Sequence, residues 1–288
     1  MLVLQLVVIA SFVLVIVLLI GNTYYQAVKL PDNTPSKHLR QQTKGNGHKS
    51  VVVLMGDSIT HGRVGVNYVD MVEEQLESEQ FEIINAGINS EFAWNNLQRV
   101  DEVIQCDPDI VTVLIGSNDA NATLSTDTMR SYVRRMKLPR EPDSGWYRES
   151  LISLVKKLKT ETNAQIALLS IPTIGEESNH PAFIRSSEYS NIVHEVAEET
   201  NVSYLPLHER MVEFLHDTPG SATYPYEKSY IGFLKAVINR YLLKKSWDNI
   251  ARSSGFSLHV DYLHLNTAGA RMIADLIGEF IQSALTRT

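Results

Sequence analysis

Five short, nearly continuous apolar runs constrain this chain more than any other feature. They are Val51–Met55, Phe81–Ile84, Ile110–Ile115, Gln165–Ile171 and Val202–Leu205. They are rich in Val, Ile and Leu and lack strict polar alternation, which marks strands covered on both faces. Between and after them, apolar residues recur at helical spacing. Tyr68, Val69, Val72 and Leu76 form one such set, and Leu97, Val100, Val103 and Ile104 a looser one. Leu151, Leu154, Val155 and Leu158 form a third, followed by Tyr189, Ile192, Val193 and Val196, and by Ile273, Leu276, Ile277 and Phe280. Strands alternating with helices predict an α/β chain with a parallel five-stranded sheet between two helical layers. Two stretches fall outside the alternation. Residues 119–148 contain Pro139, Pro142 and Gly145, and residues 209–260 carry a further helical pattern at Tyr230, Leu234, Val237, Ile238 and Tyr241. Each is long enough to be a lid or wall over the strand ends.

The first residues have a different character. Leu2 to Ile20 is interrupted only by Gln5 and Ser11, neither charged. About 20 such residues in a helix span the roughly 30 Å of bilayer hydrocarbon. A cleaved signal peptide has a shorter apolar region, a basic start and a small-x-small site. None of these is evident here, and Tyr24 and Tyr25 sit where interfacial aromatics anchor a spanning helix. Residues 1–21 are therefore expected to be a transmembrane anchor, with a signal peptide as the alternative. The expected localisation is the membrane, as a single-pass N-terminal anchor. Lys29, Lys37 and Arg40 argue for a cytoplasmic domain, but the side is left open. Residues 22–49, with Pro31, Pro35, Gly45 and Gly47, read as a polar basic tether.

Residues 50–288 then form the folded domain. The chain has 288 residues, 44% of them apolar, which suffices for one core. The net charge is −7; residues 1–49 carry +4 of it, so the folded part carries −11. That balance is wrong for a nucleic-acid partner. One cysteine rules out an internal disulfide and a Cys-based metal centre. No HExxH, Asp-rich calcium loop or phosphate-binding glycine loop is present, so neither a metal nor a cofactor is implied.

In parallel sheets ligands bind at the carboxyl ends of strands. The first strand runs into Gly56-Asp57-Ser58, the second into Asn85-Ala86-Gly87, and the third into Gly116-Ser117-Asn118-Asp119. Asp261-Tyr262-Leu263-His264 precedes the last amphipathic helix. These blocks, in this order, resemble those of the SGNH hydrolases, the GDSL-type lipase/esterase family. The resemblance covers about residues 50–288. It implies a flavodoxin-like three-layer fold and metal-independent ester hydrolysis. It also places the nucleophile at Ser58, the second-block glycine at Gly87, the third-block asparagine at Asn118 and the terminal pair at Asp261 and His264. The N-terminal span and the two long segments depart from the family pattern and put the substrate in doubt.

The chemistry has its own logic. A serine hydroxyl needs a base to take its proton, and histidine titrates in the right range. The base must be held in one tautomer by an acceptor on its other nitrogen, and Asp261 is one turn before His264. The oxyanion formed on attack needs donors already in place. Candidates are the backbone N–H of Ser58, the N–H of Gly87 and the side-chain amide of Asn118.

Each residue alone has a plainer reading. Ser58 serves as a helix cap, Gly87 as a turn glycine, Asn118-Asp119 as a cap, and Asp261 with His264 as a surface pair. His61, close to Ser58, reads most simply as a solvated loop residue. Two functional classes follow. One is a serine esterase acting on a lipid acyl ester or an O-acetylated glycan. The other is a non-catalytic, membrane-tethered flavodoxin-like binding module, in which Asp57 and Asp119 stand loosely where a receiver keeps its acids.

Overall fold

The computed structural model describes residues 1–41, 49–76 and 80–286. Five strands pair in parallel: β1 (Ser50–Gly56), β2 (Phe81–Gly87), β3 (Ile110–Leu114), β4 (Gln165–Leu169) and β5 (Ser203–Leu205). Their order across the sheet is β2-β1-β3-β4-β5. The chain therefore steps from β1 to β2 on one side, then crosses back to β3 on the other. In open α/β sheets ligands bind at such a reversal, here beyond the carboxyl ends of β1 and β3.

The helices before and among the first strands are α1 (Leu2–Val28), α2 (Pro35–Gln41), α3 (Ser58–His61), α4 (Tyr68–Gln75), α5 (Ala93–Gln98) and α6 (Val100–Ile104). After β3 come α7 (Ser117–Ala122), α8 (Thr126–Met136), α9 (Ser144–Glu161) and α10 (Pro181–Thr200). After β5 come α11 (Leu207–Asp217), α12 (Ser229–Tyr241), α13 (Trp247–Ser254) and α14 (Thr267–Leu285).

Alternate strand residues feed two cores. Val52 and Leu54 of β1 and Ile110 and Leu114 of β3 pack with Val72 of α4, Met211 of α11 and Ile277 of α14. Val53 and Met55, with Val111 and Val113, pack on the other face against Leu154 of α9 and Val193 of α10. Two-sided burial is why each strand reads as an apolar run rather than an alternating one. In the 119–148 stretch, Tyr132 of α8 joins Phe92 and Trp146 in a small cluster. In the 209–260 stretch, Val237 of α12 with Trp247 and Ile250 of α13 joins Ala27 and Val260 in another.

The expected transmembrane anchor, and with it the single-pass membrane localisation, is corrected. Among the described residues no helix is long and apolar enough to cross a membrane. α1 does not stop at residue 21: it continues through Gly21, Asn22, Thr23 and Gln26 to Val28. Thr23 and Ala27 are buried, and Ala27 packs beside α12 and α13. The polar last turns are thus docked on the domain.

Residues 29–41 run on along β2. The Asn85 N–H donates to the Asn33 carbonyl at 2.8 Å, and Asn33 Nδ2 donates to the Ile83 carbonyl at 3.1 Å. His38 pairs with Glu82. Arg63 Nε donates to the Lys29 carbonyl at 3.1 Å. Residues 42–48 of the expected tether lie outside the described residues.

Leu154 is fully buried in the second core. Leu154→Ala is expected to cost about 2–5 kcal/mol, read as a lower urea midpoint at unchanged slope.

Candidate active site

Ser58 is the first residue of α3, a single helical turn that β1 feeds directly. Asp57 caps that turn: its Oδ1 accepts from the Ile59 N–H at 3.0 Å. Gly62 closes it with φ 71°, a left-handed position suited to glycine. The Ser58 N–H heads the helix and so lies outside the intrahelical ladder. The hydroxyl faces His264, with Oγ 3.0 Å from Nε2.

His264 and Asp261 share one tight turn. Asp261 Oδ1 accepts from the N–H groups of Leu263 and His264, both at 2.8 Å. Its Oδ2 lies 2.8 Å from His264 Nδ1. A carboxylate only accepts, so Nδ1 carries the proton and Nε2 of the neutral ring is left to accept from Ser58. Ser58, 206 residues earlier in the chain, thus joins His264 and Asp261 in one hydrogen-bonded row. Burial presses the His264 pKa down, but the charge and hydrogen bond of Asp261 and the charge of Asp57 outweigh it, leaving a net rise. Burial pushes Asp261 up, yet the His264 charge and the bonds to His264 and Leu263 hold it below the usual carboxylate range.

Asn118 and Gly87 reach the same sheet edge but are engaged within the protein. Asn118 Nδ2 donates to Asp57 Oδ2 at 3.1 Å and to the Glu91 carbonyl at 3.0 Å, while its Oδ1 accepts from Tyr132 at 2.8 Å. The Gly87 N–H donates to Asn85 Oδ1 at 2.9 Å. A Cβ on Gly87 would lie 2.2 Å from the His61 backbone nitrogen, so glycine here lets β2 approach α3. Between Gly87 and Glu91, Ser90 holds φ 67°, a strained conformation for a residue with a Cβ. Nothing in the sequence singles out Ser90, since glycine is the residue that announces such a position.

Buried acids surround this edge. Burial raises Asp57 to about 6, against the bond from Ile59 and the charge of His264. Glu91 rises to about 7, again through burial, opposed by Arg99. Asp119 is buried, with both oxygens accepting from the Ala93 N–H, and burial lifts it well above the carboxylate range. An accessible acidic cluster of the receiver type is therefore not what these residues form. His61, expected on a solvated loop, is buried in α3, and burial lowers it to about 4. Among the described residues no group of three His, Cys, Asp or Glu side chains is arranged to hold a metal ion. Phe233 of α12 stands against the His264 ring, centroids 5.9 Å apart, so the 209–260 segment supplies an apolar wall beside that ring.

Comparison with known proteins bears on the family and the fold. Residues 54–272 match the family described as GDSL-like lipase/acylhydrolase. No curated protein matches the chain. The fold is similar to that of an acetyl xylan esterase at 21% identity and a TM-score of 0.58, covering 80% of this chain and 99% of that one. It is also similar to an acetylxylan esterase from Geobacillus stearothermophilus, at 21% identity and 0.54, covering 81% and 93%. A lipase/acylhydrolase from Enterococcus faecalis matches at 22% identity and 0.54, covering 81% and 96%.

Gly87→Ala forces a Cβ against the α3 backbone. It is expected to cost about 1–3 kcal/mol of stability, read as a lower melting temperature.

Proposed function

The chain belongs to the GDSL-like lipase/acylhydrolase family and is an ester-bond hydrolase; on that premise we propose that Ser58 is its nucleophile, His264 its base and Asp261 the group that orients the base. The observation that carries this is the row from Ser58 Oγ through the His264 ring to Asp261, with contacts of 3.0 and 2.8 Å. His264 Nε2 takes the Ser58 proton as Oγ bonds to the ester carbonyl carbon, and the carbonyl electron pair moves to oxygen. Asp261 stabilises the imidazolium so formed. Collapse breaks the bond to the leaving alcohol, which takes the proton from His264. Water, deprotonated by the same nitrogen, then attacks the acyl-enzyme, releasing the acid and restoring Ser58.

The proposed oxyanion donors are the N–H of Ser58, which heads α3, the N–H of Gly87 and the Asn118 amide. For the last two, donation to substrate exchanges an existing acceptor. Asn118 gives up Asp57 or the Glu91 carbonyl, and Gly87 gives up Asn85 Oδ1.

Two ester classes fit as substrates. Phe233 beside His264 and the outward-facing Tyr230, Ile231 and Leu234 favour an acyl chain. The fold-level likeness to acetylxylan esterases favours an O-acetyl group on a glycan. A chain-length series of nitrophenyl esters, run beside an acetylated glycan, separates them by which gives the higher kcat/KM.

Ser58→Ala is expected to lower turnover by about three orders of magnitude with the fold intact, and to abolish labelling by a serine-reactive phosphonate. Turnover within about tenfold of wild type, with labelling retained, sinks the assignment and points to a different nucleophile. The base must be neutral to act, and His264 is shifted upward. The rate should therefore fall as pH drops, on an acid limb lying above the ordinary histidine value of about 6.5. Asn118→Ala should lower kcat by about 10²–10³ with KM little changed; a rise in KM alone would assign Asn118 to ground-state binding instead.

A further inference from the structure

Asp261 and His264 ride on a narrow loop, residues 257–266, whose arms brace each other. The Val260 N–H donates to the His264 carbonyl at 2.8 Å and the Asn266 N–H to the Leu258 carbonyl at 2.9 Å. His259 and Leu265 pair as an isolated antiparallel bridge. Bonds inside the loop set its shape. They do not set where it stands relative to Ser58, which arrives on a different element 206 residues earlier.

The first arm is fastened to Glu176, on the segment that follows β4. Its Oε2 accepts from the Ser257 N–H at 2.8 Å. Its Oε1 accepts from the N–H groups of Leu258 at 2.7 Å and His259 at 3.0 Å, and from His259 Nδ1 at 2.9 Å. One carboxylate thus takes three successive backbone amides and a ring N–H, close to its full accepting capacity. The other ring nitrogen, His259 Nε2, lies 2.8 Å from the Thr173 carbonyl oxygen. The ring is thus held at both nitrogens, between the Glu176 carboxylate and the Thr173 carbonyl. Burial pushes Glu176 up, but the bond and charge of His259 and the amides of Ser257 and Leu258 leave it lowered and ionised. The side chains are 0% and 2% exposed for His259 and Glu176. The Gly175 N–H, donating to the Tyr262 carbonyl at 2.9 Å, ties the same segment to the loop tip.

A buried carboxylate–histidine contact is weak evidence for stability, since apolar residues of the same volume often do as well. What apolar residues cannot do is hold three consecutive amides and a ring in register. We propose that the Glu176–His259 pair is a positioning element for His264, fixing the 257–266 loop where Nε2 reaches Ser58 Oγ. The proposal rests on the reading of Ser58 and His264 given above. Neither Glu176 nor His259 touches the reacting atoms; they act through the loop.

Glu176→Gln tests it. An amide nitrogen replaces one accepting oxygen and meets N–H groups that need an acceptor, so the loop must shift. For a short nitrophenyl ester, kcat should fall by about 10²-fold, the scale of a misplacement near 1 Å, with KM almost unchanged. The acid limb should also move to lower pH. His264 faces Asp261, Asp57, His61 and the Phe233 ring, and the loosened contact with Asp261 removes part of what raises it. Glu176→Asp, which keeps the charge and both oxygens, should recover part of both effects. If Glu176→Gln does not fold, His259→Gln carries the test, because it leaves the three backbone amides on Glu176. A folded variant with a lower melting temperature but wild-type kcat and acid limb overturns the proposal and makes the pair structural. Failure of the nucleophile reading would show separately, as turnover retained in Ser58→Ala whatever Glu176 does.

Discussion

A parallel sheet buried on both faces leaves its strand ends as the place where polar groups meet solvent, and this molecule depends on that constraint. Val53 and Leu54, adjacent in β1, belong to opposite cores, and both are fully buried. Chemistry has no room on the faces. It collects where β1 and β3 diverge, because the chain that left β1 for β2 must return on the other side. Ser58 and Asn118 lie there as a consequence of strand order, and the 257–266 loop brings His264 to them from the far end of the chain.

Asp57 links these parts. One oxygen caps the turn that presents Ser58; the other takes the Asn118 amide. Its burial raises its pKa, and the nearby His264 charge opposes that rise. A charge developing on His264 is therefore felt by two carboxylates, Asp261 in direct contact and Asp57 across the site. The His264 ring is tuned by its whole surroundings and not by one partner.

Much of this was legible in the sequence. The five strands were readable because two-sided burial leaves apolar runs. The row of Ser58, His264 and Asp261 was readable because its members follow a strand or share one turn. Other features depend on three-dimensional neighbours. The apolar N-terminal run resembles a span by composition, but the helix it opens continues through polar residues to Val28, whose last turns bury Thr23 and Ala27 against the domain. The acceptors that engage Asn118 and Gly87 come from Glu91, Asp57 and Asn85, and no spacing rule announces them. Glu176 meets His259 from 83 positions away, so neither looks special in a row of letters. Phe233 sits in a stretch whose helical pattern gave no hint that one ring would face His264.

The strip formed by residues 29–41 has a consequence for how the molecule behaves in company. β2 is an outer strand, and an open outer strand offers a ladder on which another chain can add itself. Here Asn33 occupies two rungs, taking the Asn85 N–H and giving to the Ile83 carbonyl. At the opposite margin β5 spans only Ser203–Leu205, too short to template much. The sheet is thus sealed on one border and curtailed on the other. A chain trimmed to begin at residue 50 would keep every strand and the row of Ser58, His264 and Asp261, yet would uncover those two rungs and gain a border on which copies could zip together.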